Sequence, residues 1–141
     1  MALGPLTYKT PNQITQIASD LSGSEGCGVR LSAQGTVALA TAQTSIPYGI
    51  IVVGADSLTP GSYPSQVAAG ALEIVDAFGA VVQVLAGSGA ITVGTLVQVD
   101  GSGSFVAATP AVGEYVWGVA LTAAPAGGQF LIRFQPYLVQ A

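Results

Sequence analysis

Residues able to do chemistry are few in this chain, and their spacing is poor. No histidine occurs among the 141 residues, which removes the commonest general base and transition-metal ligand. Glu73 and Asp76 lie three apart in "ALEIVDAF". On a strand that odd spacing sends them to opposite faces, where they are badly placed to act as an acid–base pair. "DGSGS" from Asp100 is oxygen-rich but lacks the second acidic position and the closing glutamate of a calcium loop. Gly and Asp suit it to a tight hairpin turn instead. "AGSGAITVG" from Ala86 has neither a Lys-Ser/Thr pair nor a following helix, so it is no phosphate loop. Cys27, the one cysteine, sits between Gly26 and Gly28 with Glu25 close by. Nothing there favours a thiolate, and it reads as a small buried apolar residue. The serines have no partner base. Trp117 in "EYVWG" reads as a core or interface anchor before a sugar- or base-stacking platform. The sequence therefore predicts no catalytic residue, no cofactor and no metal.

Composition narrows the classes further. Three residues are basic (Lys9, Arg30, Arg133) and seven acidic, so charged residues make up 7% of the chain against roughly 25% in an ordinary soluble domain. Half the residues are hydrophobic, which rules out compositional disorder. A surface so poor in charge is tolerable when partners cover part of it. Phosphate neutralisation needs clustered Lys and Arg, and scattered cations in a chain of net charge −4 argue against nucleic acid and anionic membranes alike. "MALGPLTYKT" lacks the charged and apolar regions of a signal peptide. The unpaired cysteine fits synthesis in a reducing compartment.

The elements that must carry all this are strands. Runs rich in Val, Ile, Leu and aromatics, bounded by Gly, Ser, Pro and Asp, predict strands at 29–31, 36–41, 49–53, 72–77, 81–85, 95–99, 105–108, 115–122 and 129–134. Nine short strands with glycine-rich turns predict a single all-β domain, a small barrel or sandwich, over residues 27–141. Residues 1–26 read as an extended arm, punctuated by Pro5 and Pro11, with one short helix possible in "NQITQIASDL". Pro60, Gly61 and Pro64 predict a long loop over 56–69.

The strands repeat. "GVRLSAQGTVALAT" from Gly28 matches "LVQVDGSGSFVAAT" from Leu96, with Gly35 on Gly103, an offset of 103 − 35 = 68. "YGIIV" from Tyr48 then faces "WGVAL" from Trp117, and "GALEIV" from Gly70 faces "GQFLIR" from Gly128. Two copies of a four-strand unit (28–77 and 94–134), paired about a pseudo-twofold to bury each other's apolar faces, are the expected arrangement. Near the end, "QFLIRFQPYLV" alternates Phe130, Ile132 and Phe134 against Leu131 and Arg133. Apolar residues at both parities predict a strand covered on both sides, as at a subunit contact. Trp117, Phe130, Ile132, Phe134 and Tyr137 are the interface candidates.

The stretch from Gly94 to Phe134, "GTLVQVDGSGSFVAATPAVGEYVWGVALTAAPAGGQFLIRF", resembles the capsid decoration (cement) proteins of tailed bacteriophages. "GVRLSAQGTVALATAQTSIPYGIIVVG" is similar to that family's first half. The resemblance implies a β-rich protein made in the host cytoplasm that assembles, commonly as a homotrimer, on the outer surface of the virion. There it would bridge subunits of the major capsid protein. By position it implies an N-terminal contact with the shell, with Leu3, Pro5, Leu6, Tyr8 and Lys9 as anchors. Two other classes stay open: a different virion component (head-fibre base, tail or minor shell subunit) and a small carbohydrate-binding β module using Trp117.

Overall fold

The computed structural model describes residues 21, 23–31, 37–53 and 73–141. Over these the chain is all β, with no helix. The strands are β1 (Gly28–Leu31), β2 (Val37–Leu39), β3 (Pro47–Val53), β4 (Glu73–Val75), β5 (Val81–Leu85), β6 (Leu96–Val99), β7 (Phe105–Ala107), β8 (Tyr115–Ala120) and β9 (Gln129–Leu138). They form two antiparallel sheets, β2-β1-β3-β4 and β5-β9-β8-β6-β7. The arrangement is a sandwich and not a closed barrel. The loop expected over 56–69, the arm anchors and nearly all of the expected helix lie outside the described residues. The end of the expected arm belongs to the body: Leu21 is buried, and Gly26 joins the sheets, donating to the Ile51 carbonyl at 2.8 Å and accepting from the Leu85 amide at 3.0 Å.

β9 runs past the expected end at Phe134. Pro136 cannot donate to a ladder and is tolerated inside sheets at edges or bulges. Here the β8–β9 register steps from Val116↔Tyr137 to Gly118↔Phe134. Two residues, Gln135 and Pro136, thus oppose Trp117, and this bulge lets the strand continue to Leu138.

The duplication is visible in the pairing. Val29↔Leu39, Arg30↔Ala38 and Leu31↔Val37 recur as Val97↔Ala107, Gln98↔Val106 and Val99↔Phe105. Gly28↔Ile50 and Val29↔Gly49 recur as Leu96↔Val119 and Val97↔Gly118. Ile50↔Val75 and Ile51↔Ile74 recur as Val119↔Arg133 and Ala120↔Ile132. Strand orders β2-β1-β3-β4 and β7-β6-β8-β9 correspond, and β5 is added beyond β9.

The pseudo-twofold expectation fails. Val97, Val99, Phe105, Ala120 and Ile132 point into the shared core. Of their counterparts, Val29, Val37, Ile51 and Ile74 are each 0% exposed and Leu31 is 49% exposed; all five stand apart from that core, on the other face of the four-stranded sheet. The face that meets the core there carries Ala40, Ile50 and Val75. Gly28 points the same way, since a Cβ on it would reach Trp117 ring carbons at 2.8 Å and Val99 Cγ1 at 3.1 Å. Matching faces therefore stack front to back, and the first sheet is buried on both sides except at Leu31 and Val52, 49% and 43% exposed.

The core between the sheets holds Trp117, Phe105, Phe130, Phe134, Ile91 and Ile132. Phe105 meets Trp117 edge-on with centroids 5.5 Å apart, and Phe134 lies tilted 6.1 Å from the same ring, separations at which aromatic pairs attract beyond their area. Cys27 is buried too. Burial pushes its thiol pKa up; a hydrogen bond with Ser104 partly opposes this, and the charges of Asp100 and Glu25 add to the rise.

Candidate contact face

Front-to-back stacking leaves one sheet face without a second layer among the described residues. Directly opposed residues share a face, so the pairings Val81↔Arg133, Arg133↔Val119 and Val119↔Leu96 draw one outward row across β5, β9, β8 and β6. A second row begins with Gln83↔Leu131, a third with Leu85↔Gln129. Val81 is 50% exposed, Leu96 44% and Leu131 36%. At the β6–β7 end the same face is covered. Gln98 is buried there, accepting from the Thr109 amide at 2.8 Å and reaching Glu114 at 3.4 Å.

Beside the first row lies a groove of about 260 Å³, lined by Phe78, Leu96, Val119, Pro136 and Tyr137 over a floor at Gly118. Phe78 is 71% exposed, lifted on the β4–β5 turn where Gly79 takes a φ of 88°. The Arg133 guanidinium tethers that turn, donating to the Gly79 carbonyl at 3.0 Å. Gly118 is fixed by close approach, because a Cβ there would strike the Arg133 carbonyl oxygen.

The outward positions of these four strands carry one cation, Arg133, and no acidic residue. Among the described residues the acidic groups sit off these positions, Glu114 at the covered β6–β7 end beside Gln98. Asp100 Oδ1 accepts from the Ser102 amide at 2.7 Å and its hydroxyl at 2.9 Å, closing the β6–β7 turn. Glu114 accepts from the Ala111 amide at 3.0 Å. Asp76 lies near Tyr48, whose phenol pKa is raised first by burial and then by that charge. A second concavity, about 130 Å³ at the open margin between the sheets, is lined by Glu25, Val52, Val82 and the hydrogen-bonded pair Gln83 and Gln129. Among the described residues no three His, Cys, Asp or Glu side chains come together to hold a metal.

The interface residues expected from sequence divide sharply. Trp117 and Ile132 are 0% exposed, Phe130 and Phe134 2%. All four are spent inside the chain's own core, because the alternation of β9 turns that parity toward the other sheet; none can touch another subunit. Burial also withdraws Trp117 from any sugar-stacking role. The opposite parity, Leu131 and Arg133, is exposed and not covered. Tyr137 alone reaches the surface, 48% exposed, at the groove. Leu3, Pro5, Leu6, Tyr8 and Lys9 lie outside the described residues. Phe78, Val81, Leu96 and Val119 were not picked out from sequence; the available signal was apolar residues at both parities in "VVQVL" and "QFLIR". No protein-family model matches the chain, and no curated protein matches it.

Proposed function

We propose that this chain is a structural virion protein, a decoration protein that binds the outside of a tailed-phage capsid and stabilises it by bridging major capsid protein subunits. What supports the reading is a sheet face that exposes Val81, Leu96 and Leu131, with Phe78 at its rim and Gln83 and Gln129 toward one edge, on a chain with 7% charged residues. A folded protein presenting contiguous apolar surface uses it for contact, and cementing is work done by contact area, with no catalytic step. The resemblance of residues 94–134 to decoration proteins adds the shell as the partner and a homo-oligomer, a trimer in that family, as the working form.

Co-sedimentation with intact heads tests this. Retention at a copy number comparable to the shell protein is expected, whereas a few copies per particle would point to a head-fibre base, tail or minor shell component. Light scattering should find an oligomer, and a monomer at every concentration would refute that part. A truncation lacking residues 1–11 should keep the β body folded and lose the heads. Unchanged binding would refute the role given to Leu3, Pro5, Leu6, Tyr8 and Lys9.

A further inference from the structure

We infer that the outward face of the five-stranded sheet docks on the shell itself, on an apolar protein patch that presents a carboxylate to Arg133. The inference rests on the decoration reading and names the chemistry of the partner. A single cation stands among Val81, Leu96, Val119 and Leu131, with no acidic side chain at the outward positions of those strands. Covering a guanidinium with an apolar surface is costly unless a negative group arrives with that surface. The Gly79 carbonyl takes one of its five donors, and a carboxylate matches the remaining fork bidentately.

A second copy of the chain fits this face poorly in both possible modes. Paired with itself about a twofold, the face would bring two guanidinium groups into one apolar contact with no acid between them. Continued head to tail, it would need the front of another copy's four-stranded sheet, where Val29, Val37, Ile51 and Ile74 are already 0% exposed and Leu31 alone of the matched positions is open. Area argues the same way. Four strands spaced ~4.8 Å apart and about five residues deep offer about 300 Å² a side, about 600 Å² for both. That falls short of the roughly 1,200–2,000 Å² of a free-standing interface. A contact this small holds when other contacts on the same rigid lattice hold with it.

The test adds purified protein to heads stripped of it and counts copies retained, for the wild type, Val119→Asp, Arg133→Glu and Arg133→Lys. Val119 is half-buried on the row, directly opposite Arg133, and makes no hydrogen bond to the Gly79 turn, so its variant tests the row without removing the Arg133 bond to the Gly79 carbonyl. Apparent affinity should fall at least about 30-fold for Val119→Asp and Arg133→Glu and much less for Arg133→Lys. Oligomer mass should stay at the wild-type value for every variant; Arg133→Glu, which loses the bond to the Gly79 carbonyl, should melt about 3 °C lower, too little to unfold it in the assay. Heads that retain both variants as well as wild type overturn the inference while leaving the decoration reading intact. A drop in oligomer mass on Val119→Asp also overturns it, since a second copy would then occupy the face. Wild type that fails to bind heads sinks both.

Discussion

Gly118→Ala is the sharpest check on the duplicated pairing. A methyl at Gly118 would meet the Arg133 carbonyl oxygen on the neighbouring strand and crowd the Gln135 amide at 3.4 Å. These are backbone atoms in a ladder, so no rotamer change relieves the clash. Overpacking that side chains can absorb costs about 1–3 kcal/mol; this one falls at or above the upper end, about 3 kcal/mol. For a domain of this size that lowers the melting temperature by about 10 °C. The register counterpart, Gly49→Ala, meets the Val75 carbonyl oxygen at 2.6 Å and a methyl of Ile74, and should fall by a similar amount. Gly89→Ala is the control. Nothing stands within 4 Å of its added methyl and its φ is not in the left-handed region, so it should be neutral or slightly stabilising, by up to about 1 kcal/mol. Thermal unfolding followed by circular dichroism reads all three. If Gly118→Ala melts within 2–3 °C, roughly what ~1 kcal/mol would cost, of Gly89→Ala, the close approach of β8 to β9 is wrong.

Other variants probe the core, the turns and the thiol. Trp117 Nε1 is buried with no hydrogen-bond partner, so Trp117→Phe removes an unsatisfied donor along with some volume. It should cost less than about 2 kcal/mol in urea unfolding, where Phe134→Ala costs about 3–5. Asp100→Ala deletes both hydrogen bonds to Ser102 and should cost about 1 kcal/mol; no change would show that Gly103, at φ 88°, sets the turn alone. Cys27, its pKa raised in the fold chiefly by burial, binds its proton more tightly folded than unfolded. Its contribution is therefore complete below the unfolded thiol's pKa and is lost as pH rises through the folded value. At pH 8 a thiol reagent should label it no faster than the chain unfolds, and rapid labelling of the native protein would contradict its burial.

Strands were legible because Val, Ile and aromatic runs stand between glycines, and each of the nine expected segments holds an observed strand. The offset of 68 was legible too, since it carries the β1–β2 register onto β6–β7 residue by residue, and the slip after it carries β3 onto β8 at 69. Which way each sheet faces was not. Alternation assigns residues to two faces without saying which meets the core, and "QFLIRF" is apolar enough on both parities to mislead. That ambiguity sent Phe130, Ile132 and Phe134 to a subunit interface they do not reach. The run of β9 past Phe134 was not legible, because the bulge that admits Pro136 leaves no local mark. The contact face itself is assembled from four separate strands and one turn, so Phe78, Leu96, Val119 and Arg133 come together through register alone.

Equivalent positions in the two copies show what stacking demands and what it leaves over. The back of the first unit carries Gly28, Ile50 and Val75, and it is closed against Trp117 and Val99 of the second unit. At the same register positions the second unit carries Leu96, Val119 and Arg133, and it faces outward. Exposure normally favours polar residues at such sites, because a contiguous apolar patch invites unwanted association. Two of the three positions are nonetheless apolar, and the third is a guanidinium able to lie along an apolar surface with its charged head at the rim. A solvated outer face would have no use for Leu96 and Val119 beside an exposed Phe78. A face that another apolar layer closes, as the second unit closes the first, has use for both, and it needs one negative group to answer Arg133.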